Sequence, residues 1–271
     1  MQRIDISEIP KYSDEPRGHT NKYWINKNGL KLVKYNETLY PDQDIMEKLS
    51  SEILKRLSLN TVNVELGFNS SNDCNCCIID SFLCDGEVSY SINQNWIKLA
   101  PNNSKLNISI CIYRVFKIFE NLHNIDNQEL ENIKSDYIRM IFADCIIGNE
   151  DRKLKNVDLI FNEKTMKYRL APIFDNAVAF HAYSLSSDDT VAYVGNELFF
   201  TDDILDFLIM YYYNEIKDII SKLRELDIEL LLNQYDEISN EKKIYIINHI
   251  NKTRNKIDEL ERKKQSENKR Y

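Results

Sequence analysis

The sequence predicts an α+β fold of two lobes, a small strand-rich one with a single helix followed by a larger, mainly helical one. Three observations carry this expectation. Segments that alternate in polarity fill the first third of the 271 residues. Long amphipathic stretches with helical spacing dominate from residue 108 onward. One short pair of β-like segments interrupts the helical part. The expected lobes are residues 1–84 and 85–271, with the boundary near Phe82–Val88.

The elements follow in order. "KYWIN" and "LKLVKY" flank "KNG", and Asn28-Gly29 is a tight-hairpin signal. A helix is expected over Asp42–Leu57, where Ile45, Leu49, Ile53 and Leu57 recur every four residues and Leu54 widens the stripe. Pro41 suits its start. Two strands, "TVNVELGF" and "CCIIDSFL", come next, and "CDGEVS" places Gly86 in a turn. Residues 108–124 and 127–148 read as long helices. The strands "VDLIF" and "KYRLAPIF", joined by "NEKTM", form the interrupting pair. The rest is helical: a run over 202–223, a short piece near "IELLLNQY", and a long helix from about Asn240. No internal repeat is visible.

Composition narrows the classes. The chain is 43% hydrophobic and 29% charged, enough apolar material for one large domain or two small lobes. A net charge of −8 gives no sign of the basic surface that direct nucleic-acid binding uses. The basic tail "ERKKQSENKR" reads as a solvated helix end. No apolar run approaches membrane-spanning length, and the start lacks an apolar core of signal-peptide length. The expectation is a cytoplasmic protein with no membrane partner. Cys74, Cys76 and Cys77 lack a second cysteine pair at ligand spacing, so they read as free thiols on a strand.

The chemistry concentrates in "GNEDRKLKN", residues 148–156, and "LAPIFDNA", residues 170–177. Asp151 falls in the loop after a helix, Asn156 at the start of the next strand, and Asp175 at the end of the strand after that. Pairing of the two strands would bring Asn156 and Asp175 together. An Asn and an Asp offer the hard oxygen ligands that Mg²⁺ prefers. A carboxylate beside them can orient a hydroxyl and accept its proton. In the first lobe, Lys34 shares a strand face with Leu30 and Leu32, and an inward lysine needs an anion. The following helix offers Glu47 and Glu52, and its apolar stripe does not choose between them. Any one of these residues alone reads as a cap or a solvated strand end. Together they follow the order of parts in protein kinases, with ATP and Mg²⁺ as cofactors.

"IIGNEDRKLKN" followed by "YRLAPIFDNA" resembles the HipA-like serine/threonine kinase family of the HipA and CtkA type, whose pattern reads roughly G-N-x-D-R-H-x-x-N, then Y-x-L-A-P-[IL]-[FY]-D. "NKYWINKNGLKLVKY", "EKLSSEILKRLSL" and "IIDSFLCDGEVS" resemble its phosphate loop with Lys strand, its helix, and its hinge. The resemblance covers about the first two-thirds of the chain. It implies a protein-kinase-like fold and transfer of the ATP γ-phosphate to a protein Ser or Thr. Asp151 would be catalytic, and Asn156 and Asp175 would hold Mg²⁺. Lys34 would contact the phosphates and pair with Glu47. Phe82, Leu83 and Cys84 would border the adenine. Gly18, His19, Thr20 and Asn21 would cover the phosphates.

Two departures stand out. Lys153 replaces the family His and would pair with the transferred phosphate. "RGHTN" holds a single Gly, where backbone approach to phosphate favours several. In some members this loop is itself phosphorylated, which makes Thr20 an autophosphorylation candidate. Members are often toxins of toxin–antitoxin pairs or secreted effectors, which implies an antitoxin-like regulator as a partner and leaves the role open. The alternatives are a phosphotransferase acting on a lipid or small molecule, and a nucleotide-binding pseudokinase.

Overall fold

The computed structural model describes residues 2–12, 21–37, 41–93, 106–180 and 190–268. The N-terminal part is a curled six-stranded sheet. Its strands are β1 (Ile4–Asp5), β2 (Lys11–Tyr12), β3 (Lys22–Asn26), β4 (Leu30–Tyr35), β5 (Val64–Asn69) and β6 (Cys74–Asp80), in the order β1-β5-β6-β4-β3-β2. Only β1 and β5 run parallel. The β3–β4 turn forms as the Asn-Gly signal demands. Asn28 and Gly29 both take positive φ, at 54° and 114°, and that matches the twist of the flanking strands.

Period-two alternation sorts this sheet into two faces. Tyr23, Ile25, Val33, Tyr35, Cys76 and Ile78 pack with Ile6 on one side. Val62, Val64, Cys77 and Ile79, with Leu32 partly covered, face the other. That second face carries helix α1 (Gln43–Arg56). Its stripe of Ile45, Met46, Leu49, Ile53 and Leu54 is buried in the same core as the C-terminal helices. The described cysteines are free thiols, with Cys76 and Cys77 buried.

The C-terminal part is built around α2 (Ile108–Glu120) and α3 (Asn127–Ile147). A capping box between Asp126 and Glu129 starts α3, and Gly148 ends it in the left-handed conformation, φ 57°. From Tyr137 to Ile147 nearly every α3 side chain is buried. A three-stranded sheet follows: β7 (Glu87–Ser91), β8 (Asp158–Asn162) and β9 (Lys167–Leu170), with β8 central. A hairpin of β10 (Val191–Val194) and β11 (Glu197–Phe200) leads to α4 (Thr201–Tyr211), α5 (Tyr213–Glu225), α6 (Ile228–Leu232) and α7 (Asn240–Asn268). Among the described residues no helix is long and apolar enough to cross a membrane.

Four details depart from the sequence expectation. Residues 87–91 form a strand, paired with β8, rather than only a turn. Strand β9 stops at Leu170, because Pro172 offers no N–H to continue the ladder, and Ile173 bridges Thr61 instead. The hairpin β10–β11 was not anticipated. The helical run 202–223 breaks at Tyr212, φ −128° and ψ 26°.

Candidate functional site

The cavity-facing side of the N-terminal sheet is set by strand register. Lys22 stands opposite Lys34 and Trp24 opposite Leu32. These four line a cavity of about 410 Å³ whose other walls include Ile79, Phe82 and Leu83, and, from the C-terminal part, Lys155, Asn156, Asp158, Phe174 and Asp175. Phe82 and Phe174 stack with ring centroids 5.5 Å apart. One end of the cavity is thus apolar and flat-walled, and the other is charged.

Lys34 links the two parts of the chain. Its ammonium pairs with the Asp175 carboxylate and lies 3.7 Å from Glu47 Oε2. Glu47 is fully buried, and both its oxygens accept the Asn176 N–H at 2.9 Å. Glu52, the other candidate partner, turns away to Lys48 and Tyr235. Burial by itself would lower the Lys34 pKa, but attraction to Asp175 and then Glu47 overcomes it and raises the pKa. Burial would raise Asp175, yet Lys34 holds its carboxyl at about 2. Glu47 is the exception: burial outweighs Lys34 and pushes it up. Asp175 itself takes a left-handed backbone, φ 59°, which a short polar residue tolerates better than most.

Asp151 and Asn156 are set by a buried polar scaffold. Past Gly148, Asn149 donates its side-chain N–H to Asp144 Oδ1 at 3.0 Å, and its own Oδ1 accepts the Asp151 N–H at 3.1 Å. Arg152 is buried and pairs with Asp144, Nε to Oδ2 at 3.1 Å. It also donates to the carbonyls of Asn156 and Phe174 and to Asn176 Oδ1. One guanidinium therefore ties together the loop of Asp151, the turn at Asn156 and the segment around Asp175. Burial raises the Asp144 pKa, with Arg152 opposing. Asn156 sits in a 3₁₀ turn, Leu154–Asn156, and its Nδ2 donates to the Asp151 carbonyl at 2.9 Å and lies 3.5 Å from Asp151 Oδ2.

Lys34, Asn156 and Asp175 therefore meet at one cavity, with Asp151 hydrogen-bonded at its edge. Phe82 and Leu83 join them. Cys84 does not: it is exposed, and its N–H donates to Glu87 Oε2 at 2.9 Å. Lys153 also stands apart, with its ammonium over the Tyr193 ring at 5.0 Å and 3.9 Å from Asp151 Oδ1. Lys155 takes the cavity side, 3.3 Å from Asp151 Oδ2. Gly18, His19 and Thr20 lie outside the described residues, while the Asn21 carbonyl accepts the Tyr35 N–H at 3.1 Å. Lys22 and Lys155 in the cavity lining, and Asp144 and Asn176 in the scaffold behind it, are not singled out by the sequence reading.

No protein-family model matches the chain, and no curated protein matches it in sequence. Solved structures match its fold. The Helicobacter pylori proinflammatory kinase CtkA superposes with a TM-score of 0.70 at 19% identity, over 96% of each chain. HipA of the Shewanella oneidensis MR-1 toxin–antitoxin system, solved with HipB and its operator DNA, gives 0.56 at 13% identity, over 84% of this chain and 58% of that one. The chain has the HipA-like kinase fold. The cavity lies between the sheet and the helical part, lined by residues from both.

The cavity also suits a magnesium nucleotide. Among the described residues no three His, Cys, Asp or Glu side chains converge on a metal. Mg²⁺, however, is commonly held by one or two protein ligands completed by substrate phosphates. Asn156 and Asp175 are two such oxygen donors. Lys22, Lys34 and Lys155 offer three cations to a polyphosphate, and the Phe82–Phe174 end offers apolar walls to a base.

Proposed function

We propose that this chain is an ATP- and Mg²⁺-dependent protein kinase that transfers the γ-phosphate to a Ser or Thr hydroxyl. The observation that carries the reading is the meeting of Lys34, braced by buried Glu47, with Asp175 in a cavity that Asn156 also lines. Lys34 would bind the phosphates, and Asn156 and Asp175 would hold the metal. Bound Mg²⁺ would neutralise charge on the phosphates. Asp151 would accept a hydrogen bond from the acceptor hydroxyl, align it and take its proton. Lys155, beside Asp151, would offset charge on the transferred group. Most of the catalysis would be positioning and electrostatics.

The partners that follow are ATP, a protein acceptor in the cytoplasm, and a regulator of the antitoxin class, by analogy with the HipB bound to the Shewanella protein. The test is transfer from labelled ATP to a panel of proteins, lipids and small molecules. Transfer to protein Ser or Thr, lost in Asp151→Asn and in Asp175→Asn with the fold retained, is the expected result. Full activity in Asp175→Asn would overturn the metal assignment, and transfer to lipid alone would overturn the acceptor class.

A further inference from the structure

Both faces of the β10–β11 hairpin are apolar, and only one is buried. Ala192 and Val194 lie in the core. On the other face the register sets Val191 opposite Phe200 and Tyr193 opposite Leu198. Leu198 is 51% exposed and Phe200 54%. A strand pair with one solvated face ordinarily alternates apolar with polar residues, and contiguous exposed apolar residues mark a contact surface. The hairpin is also fixed to the candidate site. The Gly195 N–H donates to the Tyr137 hydroxyl at 3.0 Å. Asn196 Oδ1 accepts the Leu154 N–H at 2.9 Å, in the 3₁₀ turn that ends at Asn156. The Lys153 ammonium rests on the Tyr193 ring and lies 3.9 Å from Asp151 Oδ1. One lysine side chain therefore separates the near end of the apolar face from the Asp151 carboxylate. At the far end Phe200 borders a cavity of about 220 Å³ shared with Asp202, Asp203 and Lys252. Asp202 lies 3.8 Å from Lys256, whereas Asp203 makes no hydrogen bond or ion pair among the described residues.

We propose that the outer face of the β10–β11 hairpin docks the acceptor polypeptide, seating an apolar side chain on Tyr193 and Leu198 and a basic one at Asp203. This rests on reading the chain as a protein kinase. An extended chain advances about 3.3 Å per residue, so a side chain two or three positions from a hydroxyl at Asp151 would reach Tyr193. Alternate side chains of such a chain repeat at the spacing of the Tyr193–Leu198 and Val191–Phe200 pairs. That repeat fits a polypeptide and has no counterpart in a lipid. Charge selects the same occupant. The carboxylate left over at Asp203 attracts Lys or Arg. With a net charge of −8 on the chain, it repels an anionic membrane and a second copy alike.

A library of peptides, each with one Ser or Thr and a single fixed residue at successive positions around it, tests this with labelled ATP and Mg²⁺. The unaltered chain is expected to favour Leu, Ile or Phe two or three positions from the acceptor and Lys or Arg beyond. For the best peptide, Leu198→Ser combined with Phe200→Ser should raise KM roughly tenfold, as loss of two apolar contacts requires. Its kcat and its KM for ATP should stay within about twofold, because neither side chain lines the nucleotide cavity. Asp203→Asn should lose only the preference for a basic residue. An unchanged peptide KM and preference in the double variant would overturn the docking role and leave the kinase reading standing. So would a fall in kcat equal to the rise in KM. Calorimetric binding of Mg-ATP by an unaltered chain that modifies no peptide would overturn docking and the protein acceptor together. Failure to bind Mg-ATP would remove the kinase reading itself, and the proposal with it.

Discussion

Both carboxylate oxygens of Glu47 lie 2.9 Å from the backbone N of Asn176, so helix α1 is fastened to the residue after Asp175. The same carboxylate reaches Lys34 at 3.7 Å. Glu47→Ala would leave a buried N–H unpaired and remove one of two counter-charges from Lys34. We expect a stability loss of about 1–3 kcal/mol in urea unfolding. On the proposed kinase reading, phosphoryl transfer should fall by more than roughly tenfold, since in protein kinases the Lys–Glu pair must be in place for catalysis. Glu47→Gln keeps an acceptor for Asn176 and should lose less stability but comparable activity. Equal stability losses would show that the N–H contact is unimportant.

Arg152 and Asp144 are both buried and paired. Removing either leaves an uncompensated charge inside the helical part. Arg152→Ala and Asp144→Ala should each cost about 3–5 kcal/mol. Urea midpoints measure this. A loss below about 1 kcal/mol, the range of exposed pairs, would contradict it.

Lys155, not Lys153, faces the cavity beside Asp151. On the proposed mechanism, Lys155→Ala should lower kcat about a hundredfold, as loss of a group aimed at transition-state charge would. Lys153→Ala should stay within about threefold, as befits a half-buried cation that rests on the Tyr193 ring and does not line the cavity. Steady-state kinetics at saturating ATP separates the two, and a larger loss from Lys153→Ala would reverse the assignment.

Asp175 is held at about 2 by Lys34, below the usual carboxylate value of 3.8. A carboxyl depressed in the folded state adds stability above its unfolded pKa. That stability is lost as pH falls through the folded value. Unfolding free energy should therefore decline between about pH 4 and pH 2, and the decline should be shallower in Asp175→Asn. Urea titrations at stepped pH check this, and parallel curves for the two proteins would refute it.

Much of the arrangement was legible in the sequence because it is local or periodic. Alternation in "LKLVKY" put Lys34 inward, and the order of Asp151, Asn156 and Asp175 followed one helix end and one strand pair. What escaped depends on distant contacts or on turn geometry. Glu47 and Glu52 flank one stripe, and only the packing of α1 against Asn176 and Tyr235 separates them. The 3₁₀ turn decides which of Lys153 and Lys155 meets the cavity. Strand β7 pairs with a segment far along the chain, so its own residues carry a weak signal. Gly195-Asn196 between "VAYV" and "ELFF" is a short hairpin cue with little alternation around it. The break at Tyr212 has neither Gly nor Pro to announce it.

Arg3 joins Asp44 at the start of α1 and Glu237 just before α7, and Tyr235 holds Glu52 from the same region. Arg3 and the segment 235–237 are thereby buttoned to one helix. Melting of the final helical layer would strip that helix of its supports and carry the sheet with it, so heat should take the molecule apart in one step and not as two independent halves.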